Sequence, residues 1–214
     1  MRLAAYLFPR GAACLVCGRP SFGALLCEDC CEALAEARLP EEAWDDVFTA
    51  DIRSAWPYAG IARKLVHLLK FDAVADAAEV LASGMIDALG TLPRTTVVTS
   101  VPMPLKRRRA RGIDHGMELA VRVATGLACA YRPLLFRVGG ARTQRGLSRA
   151  RRLTNLQGTL MCDRLQGEDI LLVDDVLTTG ATAQACAQLL QQAGAGSVRV
   201  VTATRVHPAK RRKG

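Results

Sequence analysis

The chain has 214 residues, with 29 Lys and Arg against 20 Asp and Glu, for a formal charge of +9 and a pI near 9.5. Half of it is hydrophobic and 23% is charged, proportions that belong to a folded globular protein and exclude wholesale disorder. No apolar run approaches the roughly 18 residues of a membrane span, and the apolar stretch at 3–8 is too short for a signal-peptide core, so a cytoplasmic protein without membrane insertion is expected.

The first feature in chain order is a cysteine cluster. Five of the eight cysteines fall in residues 14–31, as Cys14-Leu-Val-Cys17-Gly18 and then Cys27-Glu-Asp-Cys30-Cys31. Two C-x-x-C pairs predict a structural zinc site, because each pair turns two thiolates toward one ion and four thiolates close a tetrahedron. Gly18 supplies the flexible position such a turn favours. The symmetrical spacing favours Cys30 over Cys31 as fourth ligand. Disulfides do not suit a cytoplasmic setting, and redox chemistry normally needs only one C-x-x-C. With four Cys ligands no position is open to water, so this zinc folds the segment and does no chemistry. Cys129, Cys162 and Cys186 read as small core hydrophobes.

A short helix is predicted over 31–37, then an acidic connector over 38–50. Residues 28–51 hold nine acids and a single base, Arg38, for a local charge of −8. Residues 1–45 are therefore assigned to a ribbon and connector, and 46–214 to one α/β domain. A strand is expected at 54–58. From 60 to 71 the apolar stripe Ile61, Leu65, Leu68 and Leu69, with Arg63, Lys64, His67 and Lys70 off it, predicts an amphipathic helix and a solvated His67. An Ala-rich helix follows at 72–89.

The β-branched run at 95–101 predicts a buried strand that Pro102 and Pro104 end. A basic loop comes next, carrying Lys106, Arg107, Arg108, Arg109 and Arg111. A helix is expected at 114–129, a strand at 132–138, and a polar Arg-rich stretch at 139–155. The last elements are a strand at 168–175, a helix at 180–193 and a strand at 197–204. Strands alternating with helices across 95–204 predict a parallel α/β sheet flanked by helices.

The sharpest signal is Ile170-Leu171-Leu172-Val173-Asp174-Asp175-Val176-Leu177-Thr178-Thr179-Gly180-Ala181-Thr182. Four apolar residues make a buried strand, and two carboxylates follow at its carboxyl end, where open α/β sheets bind ligands. The Thr-rich loop leads into a helix whose first N–H groups and dipole suit a monophosphate. Two acids beside a phosphate cradle call for ribose hydroxyls, a divalent metal, or both.

This element resembles the phosphoribosyl-pyrophosphate (PRPP) motif of type I phosphoribosyltransferases. The resemblance implies that Asp174 and Asp175 engage the ribose hydroxyls as the catalytic pair. It also implies that Val176, Leu177, Thr178, Thr179, Gly180, Ala181 and Thr182 hold the 5′-phosphate, with Mg²⁺ accompanying PRPP. Over nearly the whole chain the sequence is similar to the ComF (competence protein F) family, in which a zinc ribbon precedes a transferase-like domain. The shared blocks are Tyr58-x-Gly60-x-x-Arg63-x-Leu65-x-x-x-Leu69-Lys70-Phe71, Val101-Pro102-Met103-Pro104-Leu105 with Arg111-Gly112, Gln144-x-Gly146-Leu147-Ser148-Arg149-x-x-Arg152-x-x-Asn155, and Thr204-Arg205. The chain departs from the family at Ile113-Asp114-His115, where Phe-Asn-Gln is usual. His115 reads as a surface residue at a helix start rather than a general base.

The resemblance places pyrophosphate near Ser100, Val101 and Pro102, with Arg109 and Arg111. It also implies a role in competence and DNA uptake, and offers two classes of function. One is a phosphoribosyltransferase of unknown acceptor; the other is an adaptor for single-stranded DNA that keeps PRPP as a ligand. Acid-free windows at 106–111, 137–152 and 205–213 hold 16 of the 29 bases and suit a polyanion. The DNA-contacting residues would be Lys106, Arg107, Arg108, Arg145, Arg149 and Arg152. None of these windows carries an aromatic for base stacking, so any nucleic-acid contact would run through phosphates and guanidinium planes.

Overall fold

The computed structural model describes residues 12–40, 51–104, 109, 114–137, 152–154 (backbone only) and 160–206. The most apolar run of the sequence forms the middle of a parallel sheet. Strand β7 (Asp169–Leu177) lies between β2 (Val97–Ser100) and β8 (Ser197–Arg205). Outside these lie β1 (Asp51–Pro57), paired to β8, and β3 (Ala130–Tyr131), paired to β2, so the order is β1-β8-β7-β2-β3 and every pairing is parallel.

Alternate residues of β7 serve two cores, which is why the run has no polar face. Leu171 and Val173 pack under α2 (Gly60–Phe71), α3 (Ala75–Leu89) and α4 (His115–Gly126). Ile170 and Leu172 pack under α5 (Ala181–Gln192) and a small antiparallel sheet. Each such side chain contributes about 1.5–3 kcal/mol by leaving water. The small sheet contains β4 (Leu135–Arg137), β6 (Leu160–Asp163) and β5 (Arg152–Thr154), in the order β4-β6-β5.

Connectivity positions a crevice. From β2 the chain winds through α4 to β3, and from β7 it winds through α5 to β8, in the opposite direction. The adjacent carboxyl ends of β2 and β7 are therefore the topological switch point, the usual ligand position in an open α/β sheet.

The cysteine segment is seated on the helical layer. Helix α1 (Glu28–Glu36) and the turns before it bury Cys14, Leu26, Cys30 and Leu34 in the cluster that also holds Ala62, Leu65 and Leu69. The Trp56 indole N–H donates to the Leu34 carbonyl at 2.8 Å, and the Leu39 N–H donates to the Ala55 carbonyl at 3.1 Å. The Arg38 guanidinium lies 5.1 Å from the centre of the Trp56 ring.

Several elements depart from the sequence expectation. The second helix begins at Ala75 rather than 72, because Ala73 adopts φ 53 and interrupts the helical path. The strand expected at 132–138 is the shorter β4, which belongs to the small sheet, and β3, β5 and β6 were not anticipated. Strand β7 continues past the acidic pair, with Val176 and Leu177 still in register with Thr204 and Arg205.

Candidate functional site

A cavity of about 360 Å³ opens at the switch point. Its floor is Asp174, Asp175 and Val176 of β7, and Thr178 and Thr182 form one wall. The opposite wall is the 101–104 segment after β2, with Gly116 at the start of α4. Tyr58, Lys70, Arg137 and Val206 complete the rim.

The Thr wall is shaped by one conformation. Gly180 sits at φ 76, ψ −6 immediately before α5, a left-handed geometry that costs glycine nothing and a side-chain-bearing residue about 1 kcal/mol or more. The Ala181 N–H points to the Thr179 hydroxyl at 3.4 Å, and the Gln184 N–H closes the first turn on the Gly180 carbonyl at 2.8 Å. The start of α5, with its partial positive charge, thus faces the same space as the acidic pair.

The two carboxylates are held differently. Asp174 Oδ1 accepts from the Asp175 N–H at 2.9 Å. Burial, and then the neighbouring Asp175 charge, push the Asp174 carboxyl up to about 7. Asp175 accepts at Oδ1 from Lys70 Nζ at 2.7 Å, across 105 residues of chain. Beneath the pair, the Thr204 hydroxyl donates to the Asp175 carbonyl at 3.3 Å, and the Ser54 and Thr202 hydroxyls are 2.7 Å apart. These bonds satisfy polar groups that the parallel sheet buries.

The second wall is tied in place. The Val101 N–H donates to the Val173 carbonyl at 3.0 Å, and Arg137 Nε donates to the Pro102 carbonyl at 2.8 Å. Arg137 therefore reaches the cavity from the small antiparallel sheet. Neither Lys70, which the sequence reading holds only as part of a shared block, nor Arg137, which it holds only as part of a basic window, is assigned to this site from sequence. Lys70 is one of four polar positions off a helical stripe, and only the tertiary fold distinguishes it from Arg63, Lys64 and His67, which are exposed.

Among the residues singled out from sequence, the cavity brings together Asp174, Asp175, Val176, Thr178, Thr182, Val101 and Pro102. Leu177 and Gly180 are buried behind the wall, and Thr179 and Ala181 are exposed beside it. Ser100 is buried, with its hydroxyl 3.4 Å from the Tyr131 hydroxyl. Arg109 is exposed. Lys106, Arg107, Arg108, Arg111, Arg145, Arg149 and the Arg152 side chain lie outside the described residues. His115 corrects the expectation of a surface histidine: it is fully buried, because the first turn of α4 packs against the end of β2.

The second site is the cysteine cluster. The sulfurs of Cys14, Cys17, Cys27 and Cys30 all lie within 4.8 Å of one another, and those of Cys17 and Cys27 are 3.6 Å apart. A tetrahedron with metal–sulfur bonds of about 2.3 Å needs sulfurs roughly 3.8 Å apart, so the set fits a four-coordinate ion. Cys31 is exposed and outside the cluster. The Arg19 backbone N–H, and then its guanidinium, hold the Cys17 thiol down at about 6, whereas burial and the other three thiols push Cys30 up to about 12. Four thiols packed this closely ionise together only around a cation. Gly18 stands at φ 75 in the turn between the sulfurs.

Residues 114–213 match the family described as the phosphoribosyl transferase domain. The DNA utilization protein YhgH of Salmonella typhi is 34% identical over 144 residues, covering 64% of this chain and 63% of that protein; the match thus spans a little under two thirds of that relative's length. Competence protein ComFC of Bacillus subtilis is 26% identical over 206 residues, covering 91% of this chain and 78% of that protein. Among solved structures, adenine phosphoribosyltransferase from Rhodothermus marinus aligns with a TM-score of 0.46 at 16% identity, over 83% of this chain and 99% of that one. The chain is thus similar to the YhgH and ComFC proteins, and its residues 114–213, which follow the four-cysteine cluster, match a phosphoribosyl transferase domain.

Proposed function

We propose that the cavity binds PRPP, or a closely related 5-phosphoribosyl compound, together with Mg²⁺, and that the four cysteines hold a structural zinc ion. The observation that carries this reading is the meeting of an acidic pair and a Thr-rich helix start in one cavity of about 360 Å³. Asp174 and Asp175 accept hydrogen bonds from the ribose 2′- and 3′-hydroxyls. The Thr178 and Thr182 hydroxyls and the first N–H groups of α5 receive the 5′-phosphate. The 101–104 segment and the Arg137 guanidinium face the opposite end, where pyrophosphate lies. Mg²⁺ keeps several waters and binds through the phosphates, which fits a site with few carboxylates to offer.

Calorimetric titration of PRPP with Mg²⁺ into wild type and Asp175→Asn tests this reading. Binding weakened about 30-fold or more in the variant is expected, since a charged acceptor for a ribose hydroxyl is lost. No heat with wild type, or equal affinity in both proteins, would reject it.

The biological setting we propose is DNA uptake, supported by the similarity of the chain to a DNA utilization protein and a competence protein. Whether the site transfers phosphoribose or only senses PRPP is decided by pyrophosphate release with a panel of acceptor bases. Turnover that depends on Asp175 makes it a transferase. Binding without turnover makes it a ligand-responsive adaptor, to be tested with single-stranded DNA at two salt concentrations.

A further inference from the structure

Lys70 is out of character for its helix. It is the last residue but one of α2, whose other charged side chains, Arg63 and Lys64, are exposed. Lys70 instead points into the cavity, with its side chain only 17% exposed, and donates to an Asp175 side chain that is 15% exposed. Taking an ammonium and a carboxylate this far from water costs several kcal/mol per ion unless each compensates the other. A cation placed there at such cost acts on the carboxylate it faces.

The charge balance of the cavity indicates what that action is. Among the described residues, two carboxyl and two basic side chains line it: Asp174 and Asp175 from β7, Lys70 from α2 and Arg137 from β4. With both carboxylates ionised these four sum to zero. Without Lys70 the sum is −1, and the described lining would set two carboxylates against the Arg137 guanidinium alone. Lys70 also lies close enough to Asp174 to lower its carboxyl pKa, against the burial that raises it.

Resting on the phosphoribosyl reading above, we infer that Lys70 is the positioning residue of the acidic pair. It holds one oxygen of Asp175 beside Asp174 and leaves the second oxygen to accept a ribose hydroxyl. The pocket then offers fixed carboxylate acceptors to a sugar, with a cation beside them to temper their repulsion of its phosphates. Lys70 acts through Asp175 and is not assigned a contact with the reacting atoms.

The test is a double-mutant cycle on PRPP affinity with Mg²⁺, using the full chain as wild type, Lys70→Met, Lys70→Arg, Asp175→Asn and Lys70→Met/Asp175→Asn, from pH 5.5 to 8.5. The other groups near the pair, Tyr58 after β1, Arg137 on β4 and Cys186 on α5, stay unchanged. Lys70→Met is expected to weaken PRPP about 30-fold at pH 7 and to move the pH at which affinity rises upward by about one unit. Lys70→Arg restores at least a third of the wild-type affinity, and the double variant is no worse than Asp175→Asn alone. Additive losses, or a Lys70→Met protein with wild-type affinity and pH profile, overturn the inference while leaving the ligand assignment standing. Should Lys70→Met not fold, the arginine variant and its pH profile carry the decision: affinity below a third of wild type, or a shifted profile, overturns it. Wild type that binds no PRPP overturns both.

Discussion

The ring of Trp56 lies so close to the Cα of Gly84 that a Cβ added there would fall 1.9 Å from Cη2. Trp56 is fully buried in β1, and Gly84 lies on α3, so this contact sets how near the helix comes to the sheet. The same indole holds the Leu34 carbonyl, and the Gly84 carbonyl accepts from Arg38 at 3.1 Å. One ring therefore joins the sheet, its helical layer and the cysteine segment.

Gly84→Ala tests this junction. Alanine inside a helix ordinarily gains about 1 kcal/mol over glycine. Here the methyl overlaps a ring that is bonded at its nitrogen and covered by Arg38, so it cannot move aside cheaply; overpacking costs about 1–3 kcal/mol, and this site belongs at the upper end. Net destabilisation near 2 kcal/mol is expected by urea denaturation. A variant as stable as wild type would show that the ring has room the structure does not give it.

Asp174 makes stability depend on pH in an unusual direction. Its folded carboxyl is raised to about 7 from an ordinary 3.8, first by burial and then by Asp175. Between those values the folded state binds a proton more readily than the unfolded chain, so this group favours folding at low pH and loses that contribution as pH rises toward 7. Asp174→Asn, which stays neutral, is expected to be more stable than wild type at pH 8, by up to about 4 kcal/mol, and to lose that margin by pH 4. Melting curves of both proteins across that range decide it; a margin that grows toward acid would mean the carboxyl is not raised.

How much of this was readable beforehand follows from which interactions are local. The stripe Ile61, Leu65, Leu68 and Leu69 marked α2 to the residue, because helical period is written in adjacent turns. The acidic pair and Thr loop were legible for the same reason: a strand end, a glycine and a helix start are consecutive. Lys70 was not, because its partner is 105 residues away and its spacing is that of any solvated lysine. The small sheet was not, because β4, β5 and β6 are three to four residues long and take their order from pairing rather than pattern. His115 was misread because a histidine at a helix start is usually solvated, and only the packing of α4 on β2 buries it.

The cysteine geometry separates two adjacent residues. Cys30 shares the four-sulfur cluster and the hydrophobic core, while Cys31 is exposed. Cys31→Ser is expected to keep about one zinc per chain and an unchanged melting temperature. Cys30→Ser should lose the metal and melt lower, because a structural zinc contributes folding free energy directly. Metal content by plasma emission, with melting before and after chelation, checks both. Loss of zinc from the Cys31 variant alone would reassign the fourth ligand.

Gly116 tests the second wall of the cavity without altering the acidic pair, Lys70 or Arg137. A Cβ at this position would sit 3.1 Å from the Val101 carbonyl oxygen and 3.6 Å from the Ser100 Cβ. The strand end cannot retreat freely, since the Val101 N–H is bonded to the Val173 carbonyl at 3.0 Å. The helix cannot slide freely either, since His115 is buried and Asp114 caps α4 by accepting from the Met117 N–H at 3.2 Å. The strain of Gly116→Ala therefore falls on the 101–104 segment. Helix propensity returns about 1 kcal/mol, so overall stability should change little. Displacement of that wall by a few tenths of an ångström should still weaken PRPP about 10-fold, because binding groups lose value steeply with misplacement. Unchanged stability with weakened binding is the expected pair of results. Unchanged binding would mean that this wall takes no part in holding the ligand.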